Sequence, residues 1–367
     1  MGHFWTTAAL ILSCILLGEA CNSCVSREVC LKSDDINSVR CAPHLVCCEI
    51  LHEYFTWDLT GNNNEPERST TAEPIIPYPG FRTFRTEEGL SIPFGLSTDG
   101  LSNPNGLDAT KYMTNEQSRP GQFPWVMALF DTDKYFAGGS LIRSDVVLTA
   151  AHKLRNKYAN QIVVRAGEWD MGCQTESFSH DEREVYEITL HENFEFKTGA
   201  NNVALLFLTR PFVLNNHIRI IPIPEPGNSY DGRRCTVAGW GKTKESDLDN
   251  SSILKKVELP MLRRDQCEEQ LRRTRLGWNF KLPESFVCAG GEPGKDACVG
   301  DGGSPLFCAK GQSDRYEQVG IVTWGMGCGV GGVPATYTNV AMFNEWITEK
   351  MLPFVYRKGQ ATVSPVR

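Results

Sequence analysis

The sequence predicts an all-β domain, a barrel or a sandwich, behind a small disulfide-stapled module. Three observations carry that expectation. Short apolar runs recur after Gln122 with Gly, Pro and Asn between them, the spacing of strands joined by turns. Six cysteines, Cys21, Cys24, Cys30, Cys41, Cys47 and Cys48, crowd into 28 residues near the N-terminus. The stretch between these regions sustains neither a helical nor a strand period.

Taken in order, residues 1–20 read as a secretory signal peptide. Phe4 to Leu17 is almost wholly apolar, and Gly18-Glu19-Ala20 places small residues at the −3 and −1 positions of a cut after Ala20. A membrane anchor is the competing reading, but the run is shorter than the about 18–20 residues a span needs. Removing it takes Cys14 and leaves 13 of the 14 cysteines. Residues 21–50 form a module too small to hold together by apolar burial alone. Three disulfides among its six cysteines would staple it, with about 15 pairings open. Zinc is the alternative, and the adjacent Cys47-Cys48 suits tetrahedral coordination poorly. Residues 51–110, with Asn62-Asn63-Asn64, Thr70-Thr71 and Ile75-Ile76-Pro77-Tyr78-Pro79-Gly80, read as an extended linker.

Strands are expected over Trp125–Phe130, Val146–Thr149, Ile162–Ala166, Val203–Leu208, Thr236–Trp240, Gln318–Trp324 and Ala335–Val340. From Ala341 to Met351 the period changes: Phe343, Trp346, Ile347 and Met351 recur as on a helix. Residues 353–367 read as a tail. The chain of 367 residues is 41% apolar and 22% charged, which excludes a mainly disordered or collagen-like protein. Its formal net charge of −7, without a Lys/Arg-rich run, argues against nucleic-acid binding. The cysteine content points to an oxidising compartment.

Several motifs then follow one another. Gly138-Gly139-Ser140-Leu141-Ile142 precedes Val147-Leu148-Thr149-Ala150-Ala151-His152. Asn201-Asn202-Val203-Ala204-Leu205-Leu206 comes next, then Val237-Ala238-Gly239-Trp240-Gly241. Gly300-Asp301-Gly302-Gly303-Ser304-Pro305-Leu306 and Val322-Thr323-Trp324-Gly325 close the series. In order and spacing these resemble the trypsin-like serine proteases, over roughly residues 112–352. The resemblance implies two β-barrels and a C-terminal helix over a domain of residues 111–352. The N-terminal module resembles, in its cysteine spacing, the clip domain of arthropod clip-domain proteases.

The chemistry of that family needs a hydroxyl nucleophile, an imidazole to take its proton and a carboxylate to set the imidazole tautomer. The resemblance places these roles at Gly302, His152 and Asn202. Glycine has no atom to attack a carbonyl. In related enzymes loss of the serine removes on the order of 10⁶ in turnover, and an amide at the aspartate position about 10⁴. The degenerate triad therefore implies a non-catalytic homologue. Ser304 is the one nearby hydroxyl that a relocated mechanism would use, from a position displaced along the strand. The backbone N–H groups of Gly300 and Gly302 retain the makings of an oxyanion hole. Asp296 stands where these proteases keep the acidic base of the pocket for basic side chains, and Ala335 replaces a wall glycine.

Further consequences rest on the same resemblance. Family positions pair Cys235–Cys308, Cys267–Cys288 and Cys298–Cys328. The disulfide flanking the histidine is missing at both ends, Ala137 and Lys153. So is the tether from linker to domain, at Asp99 and Pro222. Cys173 is left over, which suggests a free thiol or a disulfide-linked oligomer. The family's apolar start, whose new ammonium pairs with Asp301 after cleavage, is replaced by Lys111-Tyr112-Met113-Thr114-Asn115. A buried Asp301 then needs another cation. Cleavage is expected at Arg40, Arg68, Arg82, Arg85 or Lys111. A cut after Lys111 would free the module, since the tether is missing. Asn250-Ser251-Ser252 is an N-glycosylation sequon. No cofactor is expected beyond a structural calcium near Glu168, Asp181, Glu182 and Glu184.

The function implied is a secreted cofactor or regulator in an extracellular proteolytic cascade of the innate-immune, melanisation type. Its partners would be proteases, zymogens or prophenoloxidase-like proteins, not nucleic acid or membrane. The alternatives are an adhesive or microbial-surface recognition protein and, through Ser304, a residual hydrolase.

Overall fold

The computed structural model describes residues 100–111, 113–172 and 177–352 in full, with the backbone of five short strands before them and of a helix to Gln360 after them. The signal segment, most of the linker, Cys173 and the chain end lie outside the described residues. So does the pairing of the six N-terminal cysteines. The chain divides into two units, Met1–Ile76 and Pro77–Arg367. In the first, β1 (Ser23–Ser26), β2 (Ser33–Asp35) and β3 (Leu45–Cys48) make an antiparallel sheet in the order β1-β3-β2. In the second, β4 (Thr83–Arg85) and β5 (Ser91–Pro93) pair within the expected linker.

Two closed six-stranded barrels follow. The first takes β6 (Val126–Asp131), β7 (Lys134–Arg143), β8 (Val146–Thr149), β9 (Ile162–Ala166), β10 (Asp181–Leu190) and β11 (Ala204–Leu208). The second takes β12 (Arg234–Gly239), β13 (Lys255–Leu262), β14 (Phe286–Gly290), β15 (Pro305–Ala309), β16 (Tyr316–Trp324) and β17 (Pro334–Asn339). Strands β6, β8 and β11 read as continuous apolar runs because both faces are buried. In β11, Ala204, Leu206 and Leu208 fill the barrel, while Leu205 and Phe207 join the core between the barrels. β6 does the same, with Met127 and Leu129 inside and Val126, Ala128 and Phe130 between. The period of two survives as two destinations rather than as apolar against polar. Trp125, Phe307, Phe123 and Tyr316 lock this shared core through tilted and edge-to-face ring contacts.

The second barrel carries disulfides Cys235–Cys308, Cys267–Cys288 and Cys298–Cys328. Cys267 lies on a helix the strand-dominated pattern does not predict, α1 (Arg264–Arg272), which buries only Cys267 and Leu271. The C-terminal helix differs in its limits from the expected one. A 3₁₀ turn over Val340–Phe343 leads into α2 (Asn344–Gln360), so the helix runs on where a tail was expected. Phe343, Ile347 and Met351 are its buried stripe.

The end of the expected linker is not free. Residues 100–107 lie along the domain as a strap. Gly100 N–H donates to Ile220 O (3.0 Å) and Tyr316 N–H to Gly100 O (2.9 Å). Ser102 N–H donates to Asp314 O (2.9 Å) and Leu107 N–H to Pro120 O (2.9 Å). The Asn103 amide adds bonds to Gly121 O (2.7 Å) and Asn216 O (2.8 Å). Only glycine fits at 100, because φ is +65° and a Cβ there would stand 2.2 Å from Tyr316 O and 2.9 Å from Pro222 Cδ. Backbone bonds thus hold the segment where the family's tethering disulfide is missing. The expected release after a cut at Lys111 is corrected accordingly. The cut chain should elute as one species in native size exclusion and separate only in denaturant. Separation in native buffer would show that the strap does not hold.

Candidate functional site

Sheet register brings the three degenerate positions together. Ala204 pairs with Thr149 across β11 and β8. The loop carrying Asn202 and the 3₁₀ turn carrying His152 therefore leave the same end of the first barrel. Gly302, just before β15, is fixed from the second barrel, with Gly138 N–H donating to its carbonyl (3.1 Å). A Cβ built on Gly302 would lie 3.2 Å from His152 Nε2 and 3.1 Å from Lys153 Cδ. The glycine stands where a nucleophile would face the imidazole.

The tautomer of His152 follows from its neighbour. The His152 backbone N–H donates to Asn202 Oδ1 (2.9 Å), which settles which end of the amide is oxygen. The Asn202 nitrogen then faces His152 Nδ1 at 2.9 Å and donates to it. Nδ1 is an acceptor, so the neutral ring carries its proton on Nε2, the atom facing Gly302. That nitrogen has no lone pair to take a proton. Burial, with Lys153 nearby, lowers the His152 pKa to about 4. The ring is therefore neutral at physiological pH.

Ser304 is fully buried, with its hydroxyl packed against Gly138 and Gly239. Asp296 lines a cavity of about 510 Å³ with Glu116, Lys255, Lys256 and Asp301. His152 borders a separate cavity of about 600 Å³, walled by Phe194, Phe196, Phe280 and Trp324. Asp296 Oδ2 accepts from Gly329 N–H (3.0 Å), and burial pushes its carboxyl up to about 6. Ala335 is buried opposite Ala289 in β14, with its methyl 3.7 Å from where a Cβ of Gly325 would stand.

These two shifts oppose each other. His152 is held at about 4 against 6.5 free, so between those values the unfolded chain binds a proton that the fold refuses. That contribution to stability rises with pH and is lost as pH falls. Asp296 is held at about 6 against 3.8 free, so the fold keeps a proton that the unfolded chain releases. That contribution falls as pH rises. Asp296→Asn should therefore steepen the rise by about 1.4 kcal/mol per pH unit between about pH 4 and 6, and His152→Gln in the same background should flatten it by about the same amount. Urea unfolding across that range measures both: an unchanged profile in Asp296→Asn contradicts the raised Asp296 carboxyl, and no further change on adding His152→Gln contradicts a neutral His152.

The cation that Asp301 needs comes from within the domain. Lys255 Nζ lies 3.0 Å from Asp301 Oδ2, and their side chains are 13% and 2% exposed. Asp301 also accepts from Gly241 N–H (2.7 Å) and Cys298 N–H (3.0 Å). The segment that replaces the family's apolar start runs beside this pair. Gln117 bridges Lys255, and Lys256 N–H donates to Glu116 O (2.8 Å). No motif announces Lys255. Its only sequence signal is a lysine opening a β-run.

The remaining candidates are placed as follows. Asn250 is exposed, and its Oδ1 would be 2.7 Å from a Cβ on Gly300, so a glycan there would stand at the edge of the vacated centre. Glu168 is buried, bonded by Arg165 (2.9 Å) and facing His180 Nδ1 at 3.3 Å. Asp181 is taken by Arg183 and Glu182 by Arg165. Among the described residues no three His, Cys, Asp or Glu side chains are grouped to hold a metal.

Known proteins share much of this sequence. The trypsin family profile matches residues 113–347. Phenoloxidase-activating factor 2 of Galleria mellonella is 37% identical over 309 residues, covering 78% of this chain and 96% of that protein. An inactive CLIP domain-containing serine protease of Anopheles gambiae is 35% identical, covering 69% and 68%. Protein masquerade of Drosophila melanogaster is 33% identical over 76% of this chain and 26% of its own length.

Proposed function

The chain belongs to the trypsin family, among the clip-domain serine protease homologues of arthropods, and on that premise we propose that it is a secreted, non-catalytic regulator of an extracellular proteolytic cascade. The carrying observation is Gly302 facing the protonated Nε2 of His152. The site has no nucleophile and no base, but it retains a walled cleft. Such a cleft can bind a protein segment without cutting it. Relatives named as inactive proteases support the first half of this reading. A relative named as a phenoloxidase-activating factor supports placing the partners among proteases, zymogens or prophenoloxidase-like proteins. The three disulfides suit an oxidising, extracellular location.

Purified protein should neither turn over arginine or lysine esters nor be labelled by a serine-directed phosphonate. Capture from native extracellular fluid should retain a protease, a zymogen or a prophenoloxidase-like protein. Stoichiometric labelling would overturn the non-catalytic half. Sedimentation with cell-wall material and no captured protease would favour the adhesive reading instead.

A further inference from the structure

The vacated catalytic centre holds a cation that nothing else in the described domain answers. Lys153 follows His152 and replaces a cysteine of the family pattern. Its stem crosses Gly302, with Cδ 3.1 Å from where a Cβ would stand. The ammonium, two bonds further on, is therefore within about 6 Å of the empty nucleophile position. Burial, and then the charge of Lys157, lower its pKa. Lys157 is itself paired with Asp131. Among the described residues no carboxylate or carbonyl pairs with Lys153. A desolvated ammonium without a counter-ion is unfavourable, and an anion placed beside it relieves that.

Further donors belong to the same loop and its neighbour. The Gly300 and Gly302 N–H groups donate to no backbone acceptor among the described residues. His152 Nε2–H points the same way, 3.2 Å from the Gly302 Cβ position. One ammonium and a few N–H groups match the two oxygens of a single carboxylate. His152 also borders the cavity of Phe194, Phe196, Leu276, Phe280 and Trp324, which Lys197 and Lys281 line as well, with Phe196 56% exposed. Its size suits several side chains of an extended peptide.

We propose that the vacated centre is a receptor for the C-terminal carboxylate of an extended peptide, with Lys153 and the Gly302 N–H holding the carboxylate and the aromatic cavity holding the apolar residues before it. The proposal rests on the non-catalytic reading of the cleft, and its test separates the two. A fluorescein-labelled hexapeptide ending Leu-Phe-Phe, as free acid and as amide, is titrated by anisotropy against the full chain. Glycans are removed in every arm, and mass spectrometry checks for peptide cleavage. The acid should bind at least about tenfold more tightly than the amide. Lys153→Met keeps the stem over Gly302 and should reduce the acid to the level of the amide. Lys153→Arg should retain the preference. Equal binding of acid and amide, or a preference that survives Lys153→Met, overturns the proposal. Displacement by free phenylpropionate at equal concentration overturns the peptide and makes a small carboxylic acid the ligand. Cleavage of the peptide instead defeats the non-catalytic reading.

Discussion

Gly302→Ser together with Asn202→Asp should hydrolyse a small activated ester at least about 10⁴-fold faster than Gly302→Ser alone. The single change supplies a hydroxyl but leaves the Asn202 amide donating to His152 Nδ1. Nε2 then stays protonated and cannot act as a base. With a carboxylate at 202, one oxygen keeps the bond from the His152 backbone N–H and the other accepts a proton held on Nδ1. The Nε2 lone pair is then turned toward the new hydroxyl. The built Cβ contacts at 302, 3.1 and 3.2 Å, ask for a shift of only a few tenths of an ångström from the flexible Lys153 stem or the ring. A small ester is the right probe, because it needs no side-chain pocket and so reads the triad chemistry alone. Stopped assays with a phosphonate control measure the outcome. Equal activity of the single and double variants would falsify the tautomer argument.

Lys255→Met should lower the unfolding free energy by about 3–5 kcal/mol, because it leaves a buried carboxylate without its cation. Asp301 is 2% exposed, and its remaining partners are two backbone N–H groups. These satisfy hydrogen bonds but not the charge. Adding Asp301→Asn to Lys255→Met should recover much of the loss, since the uncompensated charge is gone. Chemical denaturation of the two single variants and the double variant gives the coupling. Cleavage after Lys111 should leave the unfolding midpoint of the parent unchanged, since Asp301 already holds a cation. Nor should cleavage rescue Lys255→Met, because the new start lacks the apolar residues that the family buries. Rescue by cleavage would show that a freed ammonium can still reach Asp301.

Much of the architecture was legible in the chain. The runs at Val146–Thr149 and Ile162–Ala166 are strands with those limits, and the other expected strands differ from the observed ones by one or two residues at an end. Local alternation and turn residues suffice for that, because a strand's side-chain period is a property of consecutive residues. Motif order likewise placed His152, Asn202 and Gly302 in one site, and the register of β8 with β11 provides the reason. The short helix α1 escaped because its nine residues bury only two side chains.

By itself, then, the sequence determined what is missing: no side chain at 302, no carboxylate at 202 and no apolar start after Lys111. Absence of an atom needs no geometry to be certain. Only the tertiary structure decided what took over. Lys255 and Asp301 are 46 residues apart and meet because the second barrel folds β13 beside the Asp301 loop. The Asn202 amide is oriented by a backbone N–H 50 residues away. The strap at Gly100 is held largely by backbone carbonyls and amides, which carry no side-chain signature. Asp296 lines one cavity and His152 another. Each of these depends on the closure of a barrel, which sets distances between residues that no local pattern relates.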